Sequence, residues 1–214
     1  MMLRSLIRAH AGDDVVFDRE WGRTLLAYFA RFTTERGGVL VGKRSTGPVE
    51  ITAAVFPPQR VSTATRCSFD TGVIEGVHET LSDVRRTERG DHGTTVLGWV
   101  HSHPRMGVFL SDQDRHTLTT WTSLDAAAVA LVADPFAQSS QIRAWGDRCA
   151  PRPIRVRDES EGLMLDEGVL LADALSGVVD PGLRGLWDIV GSAGVISISA
   201  VRARPAAGPA EEER

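Results

Sequence analysis

Four side chains with metal or acid–base chemistry fall within fourteen residues: His101, His103, Ser111 and Asp114. They stand in His101-Ser102-His103-Pro104 and Ser111-Asp112-Gln113-Asp114. Two imidazoles and one carboxylate can hold a tetrahedral zinc ion with its fourth position open, whereas structural zinc sites usually fill all four places with Cys and His. An open zinc site lowers the pKa of a bound water to about 7, which supplies hydroxide at neutral pH. Hydrolysis there also needs a general base outside the ligand set. Glu35, far upstream, is the candidate base. Each residue alone has an ordinary explanation. A lone histidine is more often a hydrogen-bonded core residue, and Ser111 with Asp114 alone makes a common helix cap. The coincidence of all four positions points to a metal.

The surrounding sequence predicts how these residues are presented. Leu97-Gly98-Trp99-Val100-His101 reads as a buried strand behind the polar Gly93-Thr94-Thr95. Residues i and i+2 of a strand share a face, so His101 and His103 point the same way. Pro104 ends the strand because it has no N–H for the ladder. Ser111 then reads as the N-cap of a helix running to about Thr120, with Asp114 at its N3 position. A helix start facing the end of that strand brings Asp114 to the metal as third ligand. Upstream, Asp18 caps a helix with Trp21, Leu25, Leu26 and Phe29 on one face. It ends near Thr33-Thr34 and leaves Glu35 at the mouth of a strand over 39–41. A strand over Val49–Phe56 stops at Pro57-Pro58, and a helix over Gly72–Arg86 turns Val73, Val77, Leu81 and Val84 inward. Residues 87–94 read as a loop, and strands follow near 127–133 and 140–146. This order predicts an α/β domain, a mixed and mostly antiparallel sheet flanked by helices.

A Pro/Arg-rich stretch over 151–157 reads as a linker closing a core domain of residues 1–150. The extension over 151–203 carries helical patterns at 165–175 and 183–190 and a strand-like run at 195–198. Their apolar faces must be buried, on the core or on a partner. The tail over 204–214 is rich in Pro, Ala and Glu, has nothing to bury, and is expected to be disordered.

The chain has 214 residues, 42% of them hydrophobic, enough for one sizeable core. Its net charge of −4 and pI near 5.9 argue against nucleic-acid binding. Cys67 and Cys149 are too few and too far apart for a disulfide framework or a C-x-x-C site. They suit a reducing cytoplasm. No stretch reads as a signal peptide or a membrane span.

Gly98-Trp99-Val100-His101-Ser102-His103-Pro104, followed by Phe109-Leu110-Ser111-Asp112-Gln113-Asp114, resembles the JAMM motif of the MPN-plus/JAB zinc metalloproteases. The family's upstream glutamate opens an E-x-x-G-x-L-x-G pattern, and Glu35-Arg36-Gly37-Gly38-Val39-Leu40-Val41-Gly42 matches it. Glu50, the competing carboxylate, lacks that context. Val129 to Pro135 resembles the strand and Asp-Pro turn that follow the motif helix, so the resemblance covers roughly residues 15–150. It implies the MPN (JAB, cytidine-deaminase-like) fold and a single Zn2+ held by His101, His103 and Asp114. It further implies Glu35 as the proton carrier and Ser111 as the oxyanion stabiliser. The implied activity is cleavage after the C-terminal glycine of a ubiquitin-like protein, by deconjugation or precursor processing, with E1- and E2-like enzymes as associated partners. The alternatives within the resemblance are a hydrolase for a sulfur-carrier protein or a small amide, and a non-catalytic MPN scaffold. Met106, Val108 and Phe109 are candidates to line the substrate cleft. Asp70, Glu75, Glu79 and Asp83 are a candidate acidic face for the substrate, or simply a solvated helix face.

Overall fold

The computed structural model describes residues 14–44, 48–70, 72–86, 94–139, 141–158, 171, 175 and 186–199. Strand β1 (Val15–Asp18) leads directly into helix α1 (Arg19–Phe29). Asp18 serves both: its carboxylate accepts the Trp21 N–H at 2.6 Å, satisfying a donor that the first helical turn leaves free. α1 turns Trp21, Leu25, Tyr28 and Phe29 inward. Strands β2 (Gly37–Arg44) and β3 (Val49–Phe56) pair antiparallel. Both are almost continuously apolar because helices cover both sheet faces. Next come the short strands β4 (Val61–Ser62) and β5 (Cys67–Ser68), helix α2 (Gly72–Arg86) and strand β6 (Thr94–Ser102). Helix α3 (Asp112–Leu124) and strands β7 (Val129–Ala133) and β8 (Ile142–Trp145) complete the region that the motifs occupy. Strands β9 (Pro151–Arg152), β10 (Ile154–Arg157), β11 (Leu186–Gly191) and β12 (Gly194–Ser199) follow.

The main sheet runs β10-β1-β3-β2-β6-β7-β8-β9, and β4 pairs with β5 apart from it. β1 lies parallel to β10 and β3, and β6 parallel to β7; the other pairs are antiparallel. α1 packs on one face, with Phe17, Leu40, Phe56 and Leu131. α2 packs on the other, with Val39, Val41, Ala53 and Val55. α3 joins α2's side further along, over Trp99, Ala130, Val132 and Trp145. The predicted α/β class, a mixed sheet between helices, is the one the chain adopts.

The sheet also runs through the expected boundary at residue 150. Residues 151–157, read as a linker, form β9 and β10 instead, with β9 on β8 and β10 on β1. Proline suits these outermost strands, where a missing donor breaks no ladder. The helix expected over 183–190 is also corrected, because Leu186–Gly191 is a strand paired to β3 and β12. Leu186 and Val190 have helical spacing, but the alternation of Trp187 and Ile189 on one face prevails once a sheet edge is available. Within the pattern expected at 165–175, Leu171 and Leu175 are helical and buried against the α2 layer. The loop at 87–93 and the tail at 204–214 lie outside the described residues.

One irregularity decides which way the histidines face. β6 carries one extra residue at Leu97, because Leu40 pairs with Gly98 and Val41 with Val96. Such a bulge breaks the two-residue alternation. Val96 therefore packs toward α2 and Trp99 toward α3, while Leu97 and Val100 both pack toward α1. His101 and His103 follow Trp99. Gly98 holds a φ of +148°, and a Cβ there would stand 1.9 Å from the Val129 carbonyl oxygen. Gly98→Ala should therefore destabilise the fold by about 3 kcal/mol or more through backbone strain and clash. In a chain of this size that lowers Tm by roughly 6–12 °C, readable by calorimetry. A Tm within 2 °C of wild type would contradict this account of the bulge.

Candidate functional site

His101 ends β6 and His103 follows it, anchored by its N–H on the Ala133 carbonyl at 2.8 Å. Both rings are buried, at 3% and 2% exposure, and their Nε2 atoms stand 2.8 Å apart. Ser111 caps α3 as the sequence predicts. Its hydroxyl accepts the Asp114 N–H at 3.2 Å, and Asp114 Oδ2 accepts the Ser111 N–H at 2.8 Å. The Ser111 hydroxyl also donates to Asp114 Oδ2 at 2.6 Å. That reciprocal cap fixes the carboxylate at the helix start. Asp114 Oδ1 lies 3.3 Å from His101 Nε2, and Oδ2 lies 3.6 Å from His103 Nε2.

Glu35 is only 4% exposed, and its Oε1 lies 3.7 Å from His103 Nε2. Two elements hold its backbone. The Glu35 N–H donates to the Thr63 carbonyl at 2.7 Å, and the Ser62 hydroxyl donates to the Glu35 carbonyl at 2.8 Å. On the other side, the Arg36 N–H donates to Ser102 Oγ at 3.1 Å, and the Ser102 N–H donates to the Arg36 carbonyl at 3.0 Å. The glutamate is thus tied to the residue between the two histidines. Glu35, His101, His103, Ser111 and Asp114 all line one cleft of about 510 Å³ between β5 and the start of α3. Glu50 is not among them; on β3 it accepts from Arg157 at 3.2 Å.

The donor set fits a divalent cation. Zn–N bonds of about 2.0–2.1 Å at tetrahedral angles place ligand atoms roughly 3.3–3.4 Å apart. The separations from Asp114 to the two imidazoles match that within a few tenths of an ångström. Glu35, His101 and His103 also each offer a donor atom within 4.8 Å of the others, so Glu35 stands at the rim of the same set. The 2.8 Å between the ring nitrogens is a hydrogen-bond distance, one nitrogen donating to the lone pair of the other. Among the described residues, neither Nδ1 has a partner.

Burial divides the charges. It lowers the His101 pKa below the usual histidine value, favouring the neutral ring, although Asp114 pulls the other way. Burial pushes the Glu35 carboxyl up to about 7, opposed by the His103 ring, reinforced by the Asp114 carboxylate, and opposed again by hydrogen bonds from Cys67. At Asp114 burial also acts upward, but hydrogen bonds from both imidazoles and from Ser111 outweigh it and hold the carboxyl well below its usual range. One carboxylate thus stays ionised while its neighbour is poised to gain or lose a proton near neutrality.

Several supporting residues are not evident from motif spacing. Asp134 accepts the N–H groups of Arg105 at 3.1 Å, Gly107 at 2.8 Å and Phe136 at 2.9 Å. It shapes the turn after His103, where Arg105 and Gly107 hold φ of 65° and 83°. The Asp134-Pro135 dipeptide was the only sequence signal. Gln59 clamps Gly37, accepting its N–H at 3.0 Å and donating to its carbonyl at 2.9 Å. Strands of two residues have no readable period, so the β4–β5 ladder holding Glu35 gave no signal. Of the residues considered for the cleft wall, Met106 and Phe109 line it, with the Phe109 ring tilted against His103, centroids 4.7 Å apart. Val108 packs instead beneath α3. Asp70, Glu75 and Glu79 do not line the cleft.

The sequence profile of a family described as prokaryotic homologs of the JAB domain matches residues 23–146. The AMSH-like protease of Mus musculus is 32% identical over 101 residues, 47% of this chain and 21% of that protein. The AMSH-like ubiquitin thioesterase 3 of Arabidopsis thaliana is 32% identical over 116 residues, 52% of this chain and 20% of that protein. The matched region thus spans about one fifth of these curated relatives. The solution structure of a Desulfitobacterium hafniense protein superposes with a TM-score of 0.47 at 18% identity, over 69% of this chain and 95% of that one.

The raised Glu35 pKa predicts a stability effect with a definite sign. A carboxyl near 4.5 when unfolded and about 7 when folded binds more protons in the folded state between those values. Its contribution is therefore favourable below pH 4.5 and is lost as pH rises through 7. Relative to chelator-treated wild type, Glu35→Gln should gain up to about 3 kcal/mol between pH 4.5 and 8. Urea titrations across that range check this, and a pH-independent difference between the two proteins refutes it.

Proposed function

Since this chain belongs to the family of prokaryotic homologs of the JAB domain, we propose that it is a zinc-dependent peptidase cutting after the C-terminal glycine of a ubiquitin-like protein. The observation that carries this reading is the convergence of His101 Nε2, His103 Nε2 and Asp114 Oδ1 beside the Glu35 carboxyl in one buried cleft. In it His101, His103 and Asp114 hold the ion. When bound, the zinc supplies a Lewis acid and lowers the pKa of a coordinated water to about 7. Glu35 accepts the proton that the attacking water releases and returns it to the departing amine. Burial already raises this carboxyl to about 7 in the metal-free chain, away from the usual carboxylate range and toward the one that proton transfer at neutral pH uses. Ser111 donates to the oxyanion of the tetrahedral intermediate. Its hydroxyl is bonded to Asp114 Oδ2 at 2.6 Å in the structure, so this role requires the O–H to rotate toward the substrate.

The cleft shape supports a glycine tail as substrate. Its walls are β5 on one side and the Ser111–Asp114 turn on the other, with Phe109 over His103. An extended chain without side chains can lie along β5 and reach the histidines. The names of the relatives, an AMSH-like protease and a ubiquitin thioesterase, point the same way. The natural setting we assign is the cytoplasm, alongside E1- and E2-like conjugation enzymes; two free cysteines are compatible with it. Among the described residues, no helix is long and apolar enough to cross a membrane. We assign the catalytic residues to the region 1–150, with the described strands of 151–203 completing the same sheet.

A panel of ubiquitin-like proteins fused through their C-terminal Gly-Gly to a reporter tests the reading. The protein should carry one zinc per chain by elemental analysis and cleave at least one fusion, and a chelator should abolish cleavage. Cleavage undiminished in metal-free protein overturns the proposal. Ser111→Ala should lower kcat by roughly 100- to 1000-fold, the usual cost of one oxyanion donor, with zinc retained. Glu35→Gln should remove turnover while circular dichroism stays unchanged. Wild-type rates in either variant refute that residue's role.

A further inference from the structure

The β11–β12 hairpin lies beyond the family match, which stops at residue 146, and it inserts a buried carboxylate into the core. Asp188 on β11 sits opposite Phe56 of β3 and Ser197 of β12 and is 6% exposed. Trp187 and Ile189 face the α2 layer and Val190 faces the α1 layer, so alternation turns Asp188 toward α1. There Tyr28 stacks on Phe56 with ring centroids 4.5 Å apart. A charge placed among aromatic rings persists only where hydrogen bonds and an opposite charge answer it.

The bonds form a directed chain. Ser197 Oγ donates to Asp188 Oδ1 at 2.5 Å, and Tyr28 OH donates to Asp188 Oδ2 at 3.0 Å. The Tyr28 oxygen accepts from Arg36 Nη2 at 3.1 Å. A guanidinium only donates, so the single phenolic proton must go to Asp188. Among the described residues, no carboxylate lies within ion-pair distance of Arg36, so Asp188 is the counter-charge it reaches through the phenol. Arg36 is also the residue whose backbone is bonded on both sides to Ser102, between the two histidines.

We propose that Asp188 is a positioning residue: through Tyr28 and Arg36 it fixes the Glu35–Arg36 backbone against Ser102. The C-terminal hairpin thereby helps set where the Glu35 carboxyl stands relative to His101 and His103. Its catalytic meaning rests on the proposed role of Glu35, but the positioning itself can be measured without turnover.

Amide hydrogen exchange by NMR on the full chain tests it, with Asp188→Ala and, as a variant that keeps the aromatic packing, Tyr28→Phe. Both should speed exchange at the Glu35, Arg36 and Ser102 amides about tenfold or more relative to amides of β7. That is the scale expected for losing a hydrogen bond to a charged group. Uniform acceleration across the sheet, or none at these three amides, overturns the proposal. With a cleavable fusion in hand, both variants should lose kcat with KM unchanged. Unaltered exchange beside intact cleavage sinks the relay and leaves the hydrolase reading standing; altered exchange in a chain that cleaves nothing does the reverse.

Discussion

The slip of one residue at Leu97 and Gly98 is the constraint on which the cleft depends. A regular strand would have carried the parity of Val96 unbroken to the end of β6 and turned His101 toward α1. The bulge resets the parity, so Trp99, His101 and His103 face the side where α3 begins. The capping box then serves two purposes. It satisfies the first turn of α3, and it immobilises the carboxylate that meets the imidazoles. Helix start and strand end are therefore two halves of one candidate ligand set, and β7 pairs with β6 from Gly98 to Ser102.

Two carboxylates share this small space and are driven apart in acidity by their surroundings. Asp114 is surrounded by donors: two rings, a hydroxyl and a backbone amide. Glu35 is buried with fewer donors and feels the charge of Asp114. Separation of this kind distinguishes a fixed anion from a proton carrier. It follows from where the backbone places each group, since both residues are ordinary carboxylic acids.

Much of this was legible in the sequence because the signals were local. Ser111 and Asp114 announce the start of α3, the Gly72–Arg86 helix has a clear apolar stripe, and the His-x-His spacing implies a shared face. Glu35 could be singled out through the glycine and leucine pattern after it. What stayed hidden depends on distant pairing. β4 and β5 are too short to show alternation, β9 and β10 are edge strands with proline and arginine, and β11 has a spacing compatible with either helix or strand. Gln59, Ser62 and Asp188 act through backbone groups or through partners far along the chain, and no motif marks them; Asp134 is marked only by the proline that follows it.

β3 is shared unequally along one side. Its first residues pair with β1, and Ala54, Val55 and Phe56 pair with β11, which the chain supplies much later. During synthesis the first 150 residues can emerge with every motif present, yet with an apolar strand edge still open. That edge is a template for pairing with other chains until the hairpin at Leu186–Ser199 leaves the ribosome and covers it. Maturation of the domain is thus vectorial. The residues of the cleft are made early, and this edge of the sheet is covered only by the much later hairpin at Leu186–Ser199.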